Sequence, residues 1–113
     1  MSRTKPKARL RLPAPVFAAL GDELRLQLMA RLSDGAPLSI TRLSRGLPVT
    51  RQAVTKHLHV LAAAGLVRCR RAGREQQWQL DPASLAGAQE YLDSISSQWK
   101  AALGRLKALV EAG

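Results

Sequence analysis

Side chains that donate hydrogen bonds to a polyanion are concentrated between residues 35 and 74, a stretch without aspartate or glutamate. Within it, a predicted helix beginning at Thr50 carries polar groups along one side. Such groups pair with base edges in the major groove of DNA or with phosphates. The predicted DNA-binding side chains of this helix are Thr50, Arg51, Gln52, Thr55, Lys56 and His59. The lack of carboxylates on this side, at a helix N-terminus that favours phosphate, argues against a merely solvated face.

Further arginines flank this helix in the sequence. They are Arg42 and Arg45 before it, and Arg70, Arg71 and Arg74 after it. We predict that Arg51 and Gln52 read bases, because arginine pairs bidentately with guanine and glutamine with adenine. The residues predicted to face phosphates and set the register are Thr50, Thr55, Arg42 and Arg45. The three later arginines would reach the neighbouring minor groove or the backbone.

Catalytic and metal-binding chemistry finds little support in the sequence. A zinc site needs about four converging ligands, whereas the chain has one cysteine and two histidines. His57 and His59 lie two positions apart on a predicted helix, so their side chains diverge. His57 would pack beside the core or reach a phosphate. The acids are scattered, and neither a nucleophile elbow nor a glycine-rich phosphate loop is present. We therefore predict neither an enzyme nor a bound metal or other cofactor.

Cys69 is the single cysteine of the chain, which excludes an internal disulfide. The flanking Arg68 and Arg70 would favour the reactive thiolate, so a redox-responsive regulator is an alternative function. However, Cys69 alternates with Val67 along a predicted strand and shares its face. We therefore expect a buried, inert thiol at this position.

The charge of the chain indicates a polyanionic partner. Eighteen Lys+Arg against eight Asp+Glu give a formal net charge of +10, and such an excess in a small domain points first to nucleic acid. Residues 1–12 contain five basic residues and no acid, which predicts a flexible basic arm, with a solubilising tail as the alternative. The sequence shows neither a membrane span nor a secretion signal, so we expect a cytoplasmic protein.

The length and composition predict one compact, mainly helical domain. A chain of 113 residues, 46% hydrophobic and 4% aromatic, accommodates a single core built from aliphatic helix faces. Helices are predicted at residues 16–20, 22–33, 39–45 and 51–64, with Asp22 and Thr50 as N-caps. The last two flank a short turn at residues 46–48. This arrangement is a helix-turn-helix.

After Gly65 the pattern changes to alternating side chains around a glycine turn, which predicts a β-hairpin, or wing, over residues 66–80. A final helix is predicted from Asp81 to about Ala112. Its apolar residues, which begin with Leu85 and Ala88, repeat at alternating spacings of three and four, as in a helix-pairing seam. The part up to Ile95 could instead pack on its own domain. The predicted dimer interface is Leu92, Ile95, Trp99, Ala102, Leu106 and Leu109.

Residues 16–110 resemble the ArsR family of bacterial winged-helix repressors. The similarity is carried by residues 20–25 (LGDELR), by 50–61 (TRQAVTKHLHVL) continuing into 64–67 (AGLV), and by Gly73-Arg74 with 78–80 (WQL). The resemblance implies that 50–61 is the recognition helix and that the two later segments form the wing. By position it also implies DNA contacts from the recognition-helix and wing residues named above.

The chain differs from the metal-sensing members of the ArsR family at the positions of their metal ligands. Arsenic and zinc sensors of the family place paired cysteines before the turn, where this sequence reads Ser-Ile-Thr-Arg at residues 39–42. They also place acidic and histidine ligands on the C-terminal helix, which has no histidine in this chain. The resemblance therefore implies a non-metal-sensing member.

These features combine into three predicted parts: a basic arm at residues 1–12, a winged helix-turn-helix DNA-binding domain at 13–81 and a dimerisation helix at 82–113. The predicted protein is mainly α with a small β-hairpin, in the order α-α-α-α-β-β-α. We predict a homodimeric, sequence-specific repressor that binds an inverted repeat in double-stranded DNA, with an unidentified small-molecule or protein effector. The alternatives are a sequence-nonspecific nucleoid protein, the redox-responsive regulator, an RNA-binding module and a monomeric protein-interaction module.

Overall fold

The computed structural model describes residues 13–112, and within this range five helices and a three-stranded antiparallel sheet are formed. The elements are α1 (Ala14–Leu20), α2 (Glu23–Arg31), β1 (Leu38–Ser39), α3 (Ile40–Ser44), α4 (Arg51–Ala63), β2 (Val67–Ala72), β3 (Glu75–Leu80) and α5 (Pro82–Ala112). The mainly helical, winged helix-turn-helix architecture predicted from the sequence is confirmed. The predicted basic arm lies outside the described residues.

Side-chain caps fix where the helices begin. The Asp22 carboxylate accepts a hydrogen bond from the Arg25 backbone N–H at 3.0 Å, and the Thr50 hydroxyl accepts one from the Ala53 N–H at 3.0 Å. Each bond satisfies an amide that has no partner within its helix. Both caps were predicted from the sequence. They set the first residues of α2 and of the helix that carries the polar face, α4.

The end of α4 is closed by Gly65, which has a φ of +80°. The Leu66 N–H bonds to the Leu61 carbonyl and the Gly65 N–H to the Ala62 carbonyl, both at 2.9 Å, as in a Schellman motif. A Cβ at position 65 would lie 2.5 Å from the Ser84 hydroxyl oxygen. Glycine is therefore favoured by the backbone conformation, and the Ser84 side chain of α5 would have to shift to admit a Cβ.

The core lies where the first four helices meet the base of the sheet. Trp78 is its largest side chain and is 1% exposed. The other fully buried large side chains are Leu28, Leu32, Leu43, Val54, Leu58, Leu61 and Leu66. Three of these belong to α4 and lie on one face, as the sequence pattern predicted. That face anchors α4 and leaves its opposite side outside the core.

The sheet has the order β1-β3-β2, so β3 is its central strand. β2 and β3 form the predicted hairpin, joined by Gly73-Arg74, with Gly73 at a φ of +66°. β1 was not predicted: it has two residues and pairs Leu38 with Trp78. It adds a strand to the element order predicted from the sequence and ties the loop before α3 to the base of the wing.

Helix α5 packs on the core only near its beginning. The Asp81 carboxylate accepts a hydrogen bond from the Ala83 N–H at 3.2 Å, which confirms the predicted start of the helix. Ala88 is buried and Leu85 packs against the core, while Tyr91 contacts Phe17 of α1 with ring centroids 5.9 Å apart. Across residues 13–112, no helix combines the length and the apolar character that crossing a membrane would require.

Candidate nucleic-acid interface

The polar side of α4 faces solvent because the opposite side of the helix is buried in the core. Val54, Leu58 and Leu61 are completely buried, which leaves no freedom to rotate the helix about its axis. Arg51, Gln52 and Lys56, on the other side, are exposed, and Thr55 is half-buried. The structure therefore brings the predicted base readers and their neighbours onto one open face.

The hydroxyl groups at the start of α4 are partly engaged within the helix. The Thr50 oxygen accepts the capping hydrogen bond, and the Thr55 hydroxyl donates to the Arg51 carbonyl at 2.9 Å. A hydroxyl group has one donor and two acceptor positions, so Thr50 keeps its proton for an external acceptor. Thr50 can consequently donate to a phosphate while capping the helix.

His59 lies at the junction between α4 and the wing. Its ring packs edge-on against the buried indole of Trp78, with centroids 5.4 Å apart and an interplanar angle of 83°. His59 itself remains exposed. The predicted groove-facing position of His59 thus also joins the recognition helix to the hairpin.

The hairpin carries its arginines at exposed positions. Arg70, Arg71 and Arg74 are exposed, and the Arg70 guanidinium lies 3.4 Å from the Gln79 side-chain oxygen on the neighbouring strand. The Gln79 amide in turn donates to the Gly35 carbonyl at 2.8 Å. Arg68, which the sequence placed within the basic region but not among the contact residues, is exposed on the same strand.

Arg42 and Arg45 lie at the other helix of the pair, on α3 and at its C-cap, and both are exposed. The structure thus leaves every predicted cation of the interface at the surface. Within residues 13–112, the close contacts between acidic and basic side chains are Asp22–His57 and Glu111–Lys107, and neither includes an interface cation. This positive charge is not neutralised by the described chain and can attract a polyanion.

One residue differs from its predicted surroundings. Cys69 is exposed, so the expectation of a buried thiol is wrong. After Val67 every residue of β2 is exposed, because the hairpin projects beyond the core and its inward face no longer has a covering layer. His57 lies half-buried beside Arg25 and Asp22, with a side chain 26% exposed.

The distal half of α5 exposes apolar side chains in the predicted seam. Trp99 is 64% exposed and Leu109 is 71% exposed, whereas Ile95 and Ala102 are half-buried. The other exposed large aliphatic residues from position 92 onward are Leu92, Leu103, Leu106 and Val110. We call this surface the α5 apolar face. Nothing in the described chain covers it.

Metal-ligating groups are dispersed in the described structure. Among residues 13–112, no three His, Cys, Asp or Glu side chains lie close enough together to hold one ion. The arrangement instead combines a helix-turn-helix, a basic wing and an exposed apolar helix.

Comparison with known proteins places this arrangement in a family. Residues 20–70 match the helix-turn-helix domain family. The chain is 41% identical over 101 residues to the HTH-type transcriptional regulator Rv2034 of Mycobacterium tuberculosis, covering 89% of this chain and 91% of the relative. An ArsR-like transcriptional regulator from Rhodococcus sp. RHA1 superposes with a TM-score of 0.71 at 39% identity, covering 86% of this chain and 91% of that structure. The chain belongs to the ArsR-like family of helix-turn-helix transcriptional regulators.

A more distant relative is named as a repressor. The arsenical resistance operon repressor of Escherichia coli is 28% identical, over 88% of this chain and 82% of the relative. The resemblance noted from the sequence is therefore confirmed. The protein is a transcriptional regulator whose DNA-binding domain is a helix-turn-helix of the ArsR type.

Proposed function

We propose that this ArsR-like regulator is a homodimeric repressor that reads an inverted repeat in duplex DNA. The observation that carries the proposal is the exposed, carboxylate-free side of α4, held outward by three completely buried side chains on its other side. A rigid helix with donors at its N-terminal end suits insertion into the major groove, about 12 Å wide in B-form DNA. The wing arginines extend the same positive surface toward the adjacent backbone and minor groove.

Each side chain of the interface has a distinct proposed role. Arg51 and Gln52, exposed in the first turn of α4, supply bidentate contacts to guanine and adenine. The side chains that position the helix on phosphates are Thr50, Thr55, Lys56, His59, Arg42 and Arg45. The proposed wing contacts are Arg70, Arg71 and Arg74.

A second copy of the chain is the proposed partner of the α5 apolar face. With 31 residues, α5 is about 45 Å long and extends past the core that its first turns cover. Exposed apolar surfaces of this kind mark association sites in soluble proteins. Two-fold pairing through Leu92, Ile95, Trp99 and the following seam residues would set two α4 helices about 34 Å apart, which matches successive major grooves.

Repression would follow from occupancy of the promoter. The E. coli relative is an operon repressor by name, which supports the same output here. An effector would act by favouring one separation of the two α4 helices over another. A regulator of chromosomal DNA works where the chromosome lies, so the proposal places the protein in the cytoplasm.

The proposal is tested by selecting bound duplexes from a random library and measuring the affinity for the recovered motif against salt. We expect two inverted half-sites about 10 base pairs apart. The logarithm of the binding constant should fall with the logarithm of the salt concentration by about 0.9 per neutralised phosphate. Equal affinity for random duplexes would instead identify a sequence-nonspecific nucleoid protein, and failure to bind duplex DNA would refute the proposal.

The exposure of Cys69 favours one second candidate, a redox-responsive form of the same regulator. The thiol lies on the wing between Arg68 and Arg70 and is accessible to an oxidant. If this candidate is correct, mild peroxide should change the affinity for the selected duplex in the wild type and not in Cys69→Ser. Equal responses of the two proteins would exclude it.

A further inference from the structure

Two arginines of α2 differ from the interface cations because their guanidinium groups bond to neighbouring helices; Arg25 is half-buried and Arg31 is exposed. Arg25 and Arg31 contribute to the basic charge of the sequence, but neither was predicted as a site residue. In the structure, each of them bonds to one helix of the helix-turn-helix pair. They lie on neither α3 nor α4, and these contacts connect them to the DNA-binding surface.

Arg31 holds the end of α3. One of its guanidinium nitrogens donates to the Leu43 carbonyl at 3.0 Å and to the Arg45 carbonyl at 2.6 Å. Carbonyls at a helix C-terminus have no partner within the helix, and a cation there also complements the helix dipole. The bonds fix α3 and the start of the turn that leads to Thr50.

Arg25 holds α4. Its terminal nitrogen lies 3.0 Å from His57 Nδ1, and its Nε donates to the Ala19 carbonyl at the end of α1. Because a guanidinium has only donors, the His57 Nδ1 must accept and its Nε2 must carry the proton. The Asp22 carboxylate lies 3.9 Å from the same Nδ1. One side chain thus connects α1 and α2 to the middle of α4.

We infer that Arg25 and Arg31 are positioning residues for sequence reading, which together fix the orientation of α3 and α4 relative to α2. The inference rests on the proposed function. Arginine suits position 25 because its Nε and a terminal nitrogen serve two acceptors from one planar fork, whereas lysine offers a single ammonium on a flexible stem. At position 31 one terminal nitrogen serves both carbonyls. A displaced α4 would still meet phosphates, but its base-reading side chains would lose their register.

The test compares two duplexes for each variant: one carrying the motif that the wild type selects from a random library, and a scrambled duplex of the same composition. Arg25→Met and Arg31→Met keep an unbranched apolar stem and remove the donors. We expect them to lower the affinity ratio between the two duplexes by about 3-fold to 30-fold. Mutations of residues that do not touch the ligand change the properties of a binding site over about this range. The affinity for the scrambled duplex and the salt dependence should stay unchanged.

Two comparison variants separate positioning from direct contact. Arg71→Met removes a proposed phosphate contact, so it should weaken both duplexes alike and reduce the salt slope by about 0.9. Lys100→Met, an exposed position on α5, should change neither quantity. A reduced salt slope in Arg25→Met and Arg31→Met, or an unchanged ratio, would overturn the inference.

His57 provides a rescue test for the contact itself. His57→Asn places an acceptor oxygen near the Nδ1 position and should retain the wild-type ratio, whereas His57→Leu should lose it. Arg25→Met combined with His57→Leu should lose no more than Arg25→Met alone, since the contact that His57→Leu removes is already absent there. Full additivity of the two losses would contradict the contact.

Two further measurements check the folding of the variants and the contact between Arg25 and His57. Circular dichroism checks that each variant folds, and Arg25→Lys, which should also lower the ratio, replaces Arg25→Met if the latter does not. Nitrogen-15 spectra of free wild-type protein should show His57 as the Nε2–H tautomer, and the opposite tautomer would refute the contact.

If the wild type selects no motif, the proposed function fails as well; if it selects one and the variants keep the wild-type ratio, only the positioning inference fails.

Discussion

The two tryptophans of the chain lie in regions that differ in how far they bury an apolar side chain. Trp78, in β3, is 1% exposed, and Trp99, in the distal half of α5, is 64% exposed. Each belongs to an apolar pattern in the sequence, Trp78 with Leu80 on one strand face and Trp99 within the seam of α5. Trp78 is covered by elements of its own chain, whereas nothing in residues 13–112 covers Trp99. The core around Trp78 is therefore formed within one chain, whereas the α5 apolar face is left exposed by residues 13–112.

The same contrast separates the free sides of α4 and α5. The free side of α4 is basic and polar, with its apolar residues completely buried. The free side of α5 is apolar along most of its distal half. A polyanion suits the first and another apolar helix suits the second, so the chemistry of each free face indicates its partner.

The largest expected effect is on the buried member of the tryptophan pair. Trp78→Ala should reduce the free energy of unfolding by about 3–5 kcal/mol, because it removes a fully packed ring and leaves a cavity. Urea unfolding measures the change. Trp99→Ala is the matched control and should cost far less at protein concentrations low enough to keep the chain monomeric. Equal losses for the two would show that Trp99 also belongs to the core of the single chain.

The next largest effect is on self-association and concerns Trp99, the exposed tryptophan. Trp99→Glu together with Leu106→Glu should weaken self-association by about 100-fold or more, since a buried side chain of this size contributes about 1.5–3 kcal/mol and each is used twice in a two-fold interface. Sedimentation equilibrium measures it. Ser97→Glu adds the same charge on the opposite side of α5 and should leave association intact. Unchanged association in the double variant would exclude the α5 apolar face as the dimer interface.

A smaller loss is expected on the polar side of α4. Arg51→Ala should cost about 1–3 kcal/mol of binding to the selected duplex and relax the preference at one base pair in each half-site. Fluorescence anisotropy on duplexes substituted at single positions measures both effects. Lys100→Ala, an exposed cation on α5, should show neither. A uniform loss on all sequences would reassign Arg51 to a phosphate contact.

The smallest expected effect is a pH dependence at the N-cap of α2. The backbone N–H of Arg25 bonds to the Asp22 carboxylate and holds the pKa of that carboxyl below its ordinary value of 3.8. A lowered pKa stabilises the fold above about pH 4, and the contribution is lost as the pH falls through the folded-state pKa. Asp22→Asn keeps a capping oxygen without a titrating group, so its unfolding free energy should fall less on acidification from pH 6 to 3. Asp93→Asn, in α5, should behave as the wild type in the same urea titration.

Local chemistry made much of the fold predictable. The caps Asp22, Thr50 and Asp81, the stop at Gly65 and the apolar face of α4 are each encoded within a few neighbouring residues. The hairpin was predictable for the same reason, because its turn and its alternation are local. The seam of α5 was visible as a pattern, and its exposure agrees with the predicted subunit interface without testing it.

The features that the sequence did not show depend on contacts between distant segments. β1 is two residues long and exists only because Leu38 meets Trp78 of β3. The exposure of Cys69 depends on where the hairpin leaves the core, which alternation along a strand does not report. Arg25 and Arg31 looked like ordinary surface cations, since their partners lie 32 and 12 residues away, at His57 and Leu43.

The measurement that tests the central claim most directly is methylation interference on the selected duplex, which modifies guanine N7 in the major groove before the protein is added. If two α4 helices read adjacent major grooves, interference should occur at symmetric guanines about 10 base pairs apart. It should disappear at those positions in Arg51→Ala. Binding that is indifferent to major-groove methylation, or interference at a single half-site, would contradict the dimeric reading of DNA by α4.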